Sequence, residues 1–203
     1  MAPPTVVPTW GSLSTALADV LPTAALPMVV HCEHDIHLFR PLVAGRRLAT
    51  SAAAFAIRPG RSGTRYTVRL ASTHGDPGEP VVDQYVTLFV RGVGGGESGG
   101  AARPDHAFPP DSRSRPIGRH TVVVDPDQTT RYGGASGDHN PIHNDDAAAR
   151  LAPVAGGDPA RLRRLAVRFA DVVLPGSGLT TTAYDGGMTG RRLVVAQGRA
   201  EAA

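Results

Sequence analysis

Residues 28–39, MVVHCEHDIHLF, alternate between apolar and polar side chains, and this period of two constrains the fold more than any other feature of the chain. The pattern predicts a strand with an apolar face of Val30, Cys32, Ile36 and Leu38 and a polar face of His31, Glu33, Asp35 and His37. A strand of this kind is typical of an antiparallel sheet that packs one face on a core. Since residues three apart on a strand point to opposite faces, the rings of His31, His34 and His37 are not expected to converge on a metal ion.

Similar segments recur along the chain, separated by turns rich in glycine and proline such as RPGRSG. Further strands are predicted at Ser51–Arg58, Thr64–Ser72, Val81–Arg91, Arg119–Val124, Leu165–Leu174, Thr180–Tyr184 and Arg192–Gln197. Gly11–Val20 is predicted to form a short helix. Many strands with little helix favour an α+β fold built from two small units of similar type.

Residues 93–116 divide the chain, because this stretch of glycine, proline, serine and arginine has the composition of a linker. The predicted organisation is therefore an N-terminal half over residues 1–92, a linker over 93–116 and a C-terminal half over 117–203. At 203 residues the chain is long enough to bury a substantial core in either one domain or two.

The charged residues exclude several classes of function. All 21 basic residues are arginine, which removes Schiff-base chemistry and the P-loop lysine. The net charge of +3 is spread over scattered arginines and aromatic residues make up only 5%, so no nucleic-acid partner is expected. A modest positive field suits a small molecule that carries phosphate.

The cysteine count and the hydropathy of the chain bear on its compartment. A single cysteine, Cys32, permits no internal disulfide and no multi-cysteine zinc site, which fits a reducing cytosol. The sequence has no apolar run of the length that a membrane span needs and no signal-peptide pattern at its N-terminus. We therefore expect a cytoplasmic protein without a membrane partner.

The segment SGDHNPIH, residues 136–143, places a carboxylate, an amide and two imidazoles around a proline. An Asn-Pro pair forces a turn, which can fold Asp138 and His143 toward each other. A carboxylate and an imidazole at one place can hold a water molecule and move its protons. Spacing alone leaves a second interpretation open, a surface turn in which Asp138 and Asn140 only cap backbone groups.

The longer stretch YGGASGDHNPIHNDDAAARLA resembles the signature of the MaoC-like, or type 2, (R)-specific enoyl-CoA hydratases. VVHCEHDIHLFRPL is similar to the H-G-E-Q strand of the two-domain members, and LFVRGVGGG and RLAVRFADVVLPGSGL also resemble family segments in the same order. The resemblance implies a double hot-dog fold, in which two antiparallel sheets each pack on a helix. It also implies hydration of trans-2-enoyl-CoA to (R)-3-hydroxyacyl-CoA, or the reverse dehydration.

Carried over residue by residue, the resemblance gives roles to five positions. Asp138 and His143 would be the dyad that holds the reacting water, and Asn140 the polar residue that supports it. Glu33, which matches the glutamate of the H-G-E-Q strand, and Gly137 would contribute to the acyl-CoA site. The resemblance implies an acyl-CoA thioester as substrate, with no cofactor and no metal, and it leaves a homodimer open.

The chain departs from the family pattern after Ala152. About twenty residues of that pattern are missing there, including the helix that the second sheet should wrap. This departure keeps a second function open, a non-catalytic hot-dog protein that binds acyl-CoA or pairs with a hydratase-like subunit. A hot-dog thioesterase is a weaker third alternative, because thioesterases lack the SGDxNPxH segment.

Overall fold

The computed structural model describes residues 10–21, 23–75, 78–105, 116–128, 162–169, 176–184, 187–190 and 195–202, with residues 131, 134 and 173. The first half begins with helix α1, Trp10–Ala18, and a 3-10 helix, Thr23–Met28. Its strands are β1 Val29–Leu38, β2 Ala49–Pro59, β3 Gly63–Gly75, β4 Gly78–Arg91 and β5 Gly99–Gly100. The second half contributes β6 Pro116–Val123, β7 Leu162–Phe169, β8 Gly178–Tyr184, β9 Gly187–Gly190 and β10 Val195–Ala202.

The strands that the structure describes belong to one ten-stranded sheet in the order β5-β2-β3-β4-β1-β7-β10-β9-β8-β6. Every pairing is antiparallel. The two halves meet where β1 pairs with β7, from Glu33 opposite Arg168 to His37 opposite Arg164. The prediction that each half contributes antiparallel strands is therefore confirmed, with the two sets of strands joined into one sheet at β1 and β7. The division into ranges 1–92, 93–116 and 117–203 stays a prediction.

Helix α1 covers the first half of the sheet, as predicted from Gly11–Val20. Its buried residues Leu13, Ala16 and Leu17 occupy positions i, i+3 and i+4, so they share one face of the helix. That face packs on the even-numbered apolar residues of β3 and β4, which include Val68, Leu70, Val86, Leu88 and Val90. A nine-residue helix is too short to persist alone in water, so this burial, worth roughly 2 kcal/mol per leucine, holds it in place.

A second apolar cluster lies at the junction of the two halves. It joins β1, β4 and β7 and contains Ile36, Leu38, Leu42, Val81, Val82, Leu165 and Val167. We call this group the seam core. Its members from β7 alternate with arginines, so the same strand presents an apolar face to the core and a charged face to the opposite side of the sheet.

The predicted alternation of β1 is wrong at its start, because a bulge interrupts the strand. The register with β4 shifts between His31 and Glu33, so that an extra residue, Cys32, is inserted. The insertion exchanges the two faces. The His31 ring lies 5.3 Å from the His34 ring on the seam-core side, although the sequence pattern placed His31 with Glu33 and separated the histidines.

Part of the predicted linker is attached to the sheet. Strand β5 pairs with β2, and the guanidinium of Arg58 donates hydrogen bonds to the carbonyls of Gly99 and Ala101, the latter at 2.9 Å. Gly100 adopts φ +78°, and a Cβ there would lie 2.1 Å from the Phe55 carbonyl oxygen, so only glycine fits. Neither β5 nor β9 was predicted from the sequence.

Two further points concern helices. The segment after Ala152, where the sequence departs from the pattern that it resembles, lies outside the described residues until β7 begins at Leu162. Within the ranges that the structure describes, no helix is long and apolar enough to cross a membrane.

Candidate active site

The residues predicted to carry the chemistry lie between β6 and β7. Asp138, Asn140, His143 and Gly137 fall outside the described residues, so their convergence on one water stays a prediction. The flanking strands are described: β6 forms one edge of the sheet, and β7 is the strand that pairs with the first half. The motif segment therefore connects the outer edge of the second half to the junction between the halves.

Glu33 is the one predicted site residue that the structure describes. It is 4% exposed on the face of β1 opposite the seam core. One carboxylate oxygen accepts a hydrogen bond of 2.8 Å from Nε of Arg168, and the other accepts one from the guanidinium of Arg103. Glu33 thus joins the first half, the second half and the segment after β5, and a ligand that approached its carboxylate would meet these two guanidinium groups.

Asp35, two residues along the same face, is held in a similar way. It is 2% exposed and accepts two hydrogen bonds from Arg164, of 3.0 Å from Nε and 2.7 Å from Nη2. Nη2 of Arg164 also donates to the backbone carbonyl of Asp105 at 2.8 Å. Nε2 of His37 lies 3.1 Å from Oδ1 of Asp35. Charges buried in this manner are tolerated because each carboxylate has a guanidinium partner.

The opposite face of β1 is neutral. Burial lowers the pKa of His34 to about 4, against the weaker raising effects of its hydrogen bond to Gln84 and of Asp35. Its Nε2–H donates to Oε1 of Gln84 at 3.1 Å, so the ring is uncharged at neutral pH. The His31 ring lies between those of His34 and Phe169 in tilted contacts, with the Phe169 ring centroid 5.1 Å away. Among the residues that the structure describes, no group of three metal-ligating side chains is present.

Cys32, the bulged residue, was predicted to pack on the apolar face. Its thiol instead donates a hydrogen bond to the Thr87 carbonyl at 3.3 Å, on the side of Glu33. Burial, with a further contribution from the Glu33 carboxylate, raises the pKa of this thiol to about 11. The thiol is therefore protonated at neutral pH and is a poor nucleophile.

Sequence reasoning missed the arginines of this face. Arg164 and Arg168 could have been found from the alternation of arginine with leucine and valine in RRLAVRF, because two arginines on the buried face of a strand require anionic partners. Arg103 could not have been found in this way, since it lies in a stretch where charged and apolar residues do not alternate.

Comparison with known proteins points to one group. A family model described as a MaoC like domain matches residues 110–157, which include the SGDHNPIH segment. The chain is 25% identical to the peroxisomal hydratase-dehydrogenase-epimerase of Neurospora crassa, over 90% of this chain and 23% of that protein. It is 28% identical to 3-hydroxyacyl-thioester dehydratase Y of Mycobacterium tuberculosis, over 77% of this chain and 61% of that protein. The chain therefore spans less than two thirds of the length of either relative.

Solved structures show the same fold. A MaoC-like dehydratase from Phytophthora capsici superposes with a TM-score of 0.74 at 23% identity, covering 90% of this chain and 74% of the other. HtdX of Mycobacterium tuberculosis superposes with a TM-score of 0.69 at 19% identity, covering 98% of this chain and 85% of the other. At these identities the likeness establishes the architecture.

Proposed function

We propose that this chain, which is similar to MaoC-like dehydratases, is a hydro-lyase that adds water to trans-2-enoyl-CoA to give (R)-3-hydroxyacyl-CoA, or catalyses the reverse dehydration. The observation that carries the proposal is the SGDHNPIH segment inside the matched range 110–157. The names of the relatives, a thioester dehydratase and a hydratase-dehydrogenase-epimerase, agree with this chemistry.

In the proposed reaction, Asp138 and His143 hold one water between them. The water oxygen forms a bond to C3, the C2–C3 π electrons move toward the thioester carbonyl, and a proton is delivered to C2. The dyad removes one proton from the water and supplies the proton that C2 receives, while the water's other proton stays on the new C3 hydroxyl, so the same pair acts as base and as acid. Asn140 orients the dyad without transferring a proton. Negative charge that develops on the thioester oxygen needs a hydrogen-bond donor.

Glu33 and Gly137 complete the proposed acyl-CoA site. For Glu33 the proposal is limited to bordering the cleft, because Arg103 and Arg168 already engage both of its carboxylate oxygens. We place the protein in the cytoplasm, although the Neurospora relative is named as peroxisomal. We also propose a homodimer, which light scattering on the purified protein would test.

Loss of the conjugated enoyl-thioester absorbance measures the reaction directly. Asp138→Asn and His143→Ala should each lower the rate by about 10²–10⁴-fold while circular dichroism stays unchanged. Asn140→Ala should lower the rate by a smaller factor, because this residue only orients the dyad. His120→Ala, at an exposed position on β6, is the matched control and should retain full activity.

One observation favours a second function. After Ala152 this chain lacks about twenty residues of the pattern that it resembles, including a helix. A folded wild-type protein that binds enoyl-CoA but hydrates it no faster than the Asp138→Asn/His143→Ala double variant would be a binding module and not a hydratase.

A further inference from the structure

The loop between β1 and β2, residues 39–48 with the sequence FRPLVAGRRL, presents positive charge to solvent. Arg46 and Arg47 are exposed, and neither forms an ion pair with the described part of the chain. Arg40 lies 3.1 Å from a carboxylate oxygen of Glu79, whose side chain is 70% exposed, so this pair is screened by water. The loop therefore has two guanidinium groups, and a weakly held third, available for an anion.

The same loop exposes two large apolar side chains. Phe39 is 54% exposed and Val43 is 51% exposed, which places them among the five large apolar residues that the described surface leaves open to water. Neither is needed by the core beneath, where Leu42 and Leu48 of the same loop already pack. Exposed apolar side chains and exposed arginines in one loop suit a ligand that has both an aromatic ring and phosphate groups.

The loop is held rigidly. The backbone N–H groups of Phe39 and Arg40 both donate to the carbonyl of Val81, at 2.9 and 3.3 Å. Gly45 adopts φ +81° and the N–H of Arg46 donates to the Val43 carbonyl at 3.2 Å, which closes a turn that requires glycine at this position. A preformed loop loses little conformational entropy when it binds a ligand, so its arginines are already in place.

The position of the loop relates it to both halves. Leu42 is 7% exposed and belongs to the seam core, where it joins Leu165 and Val167 of β7. Strand β7 follows the SGDHNPIH segment in the chain. The loop thus projects from the junction between the half that carries the proposed catalytic segment and the half that lacks it.

We propose that this loop is the site that recognises the nucleotide of CoA, with Arg46 and Arg47 on the phosphate groups and Phe39 against the adenine ring. The proposal rests on the hydratase function and extends it, because it selects CoA over a carrier protein as the bearer of the acyl thioester. A guanidinium group can donate two parallel hydrogen bonds to a phosphate, and an aromatic side chain offers a flat surface on which a nucleotide base can stack.

The test compares two substrates that share the reacting atoms. Crotonyl-CoA carries the nucleotide, and crotonyl-pantetheine lacks it. In the double variant Arg46→Glu/Arg47→Glu, KM for crotonyl-CoA should rise at least tenfold relative to KM for crotonyl-pantetheine. Arg61→Glu/Arg119→Glu makes the same change of charge at two exposed arginines elsewhere and should leave this ratio within twofold of wild type. Equal ratios in the two double variants would overturn the proposal.

A binding measurement separates this inference from the proposed function. Calorimetry with CoA and with 3′-phospho-ADP requires no turnover, so it remains decisive if the protein hydrates neither substrate. Both ligands should bind at least tenfold more weakly to Arg46→Glu/Arg47→Glu, and the neutral variant Arg46→Gln/Arg47→Gln should lie between it and wild type. Phe39→Ala should weaken the binding of 3′-phospho-ADP several-fold. Wild-type affinity in all three variants would refute the assignment even if hydration is confirmed.

Discussion

The protein should lose less stability in mild acid when His34 is replaced with glutamine. Burial lowers the pKa of His34 to about 4, whereas an imidazole in the unfolded chain has its ordinary pKa near 6.5. The unfolded state therefore takes up a proton at this imidazole near pH 6.5, whereas the folded state takes it up only near pH 4. The contribution of His34 to stability is complete above pH 6.5 and decreases as the pH falls through this window.

The size of the effect follows from the two pKa values. Linkage between them gives a loss of about 2 kcal/mol in the free energy of unfolding between pH 7 and pH 5. This is an upper bound, because His34 keeps partial exposure to solvent and water at its ring would lessen the shift. Glutamine does not titrate and can still donate to Gln84, so in His34→Gln this part of the pH dependence should disappear.

Urea denaturation followed by circular dichroism at pH 7, 6 and 5 measures the difference. The wild-type curve should fall more steeply than that of His34→Gln by up to about 2 kcal/mol over this range. His120→Gln, at an exposed site on β6, controls for the loss of a histidine as such. Parallel curves for wild type and His34→Gln would show that the folded protein admits the proton, and the assignment of a neutral buried ring would be refuted.

Two further predictions concern β3 and β1. Gly63→Ala should lower the free energy of unfolding by more than about 2 kcal/mol, because the new Cβ would lie 2.2 Å from the Val90 carbonyl oxygen. In Gly75→Ala the new Cβ meets no atom within 4 Å, so the free energy of unfolding should fall by only about 1 kcal/mol, from the φ of +82°. Urea titration of both variants checks this order, and equal losses would contradict it. Cys32, with its pKa raised to about 11, should react with Ellman's reagent at pH 8 far more slowly in the folded protein than in 6 M guanidinium. Equal rates in the two states would contradict the buried, protonated thiol.

Several strands of this protein could be predicted from the sequence, because apolar residues recur at about every second position between turns rich in glycine and proline. Val81–Arg91, predicted from its pattern, lies within β4, and Thr64–Ser72 lies within β3. The bulge at Cys32 could not be predicted, since one inserted residue leaves composition and local hydropathy unchanged while it exchanges the faces on either side. The attachment of Arg103 was equally hidden, because Arg103 lies in a stretch without periodicity and its partner Glu33 is 70 residues away.

The bulge also explains how one strand serves two environments. After Cys32, the odd-numbered residues Glu33 and Asp35 face the arginines, and the even-numbered His34 and Ile36 face the apolar side. Without the inserted residue, His31 would share the charged face, where an imidazole next to Arg103 and Arg168 would be repelled when protonated. With it, His31 lies against the rings of His34 and Phe169, and Glu33 meets the two guanidinium groups. Since β7 supplies Arg164, Arg168 and Phe169, both faces of β1 depend on the second half of the chain. The pairing of β1 with β7 is therefore fixed by charge on one face and by apolar packing on the other. A change on either face should weaken the junction at β7, the strand that follows the proposed catalytic segment in the chain.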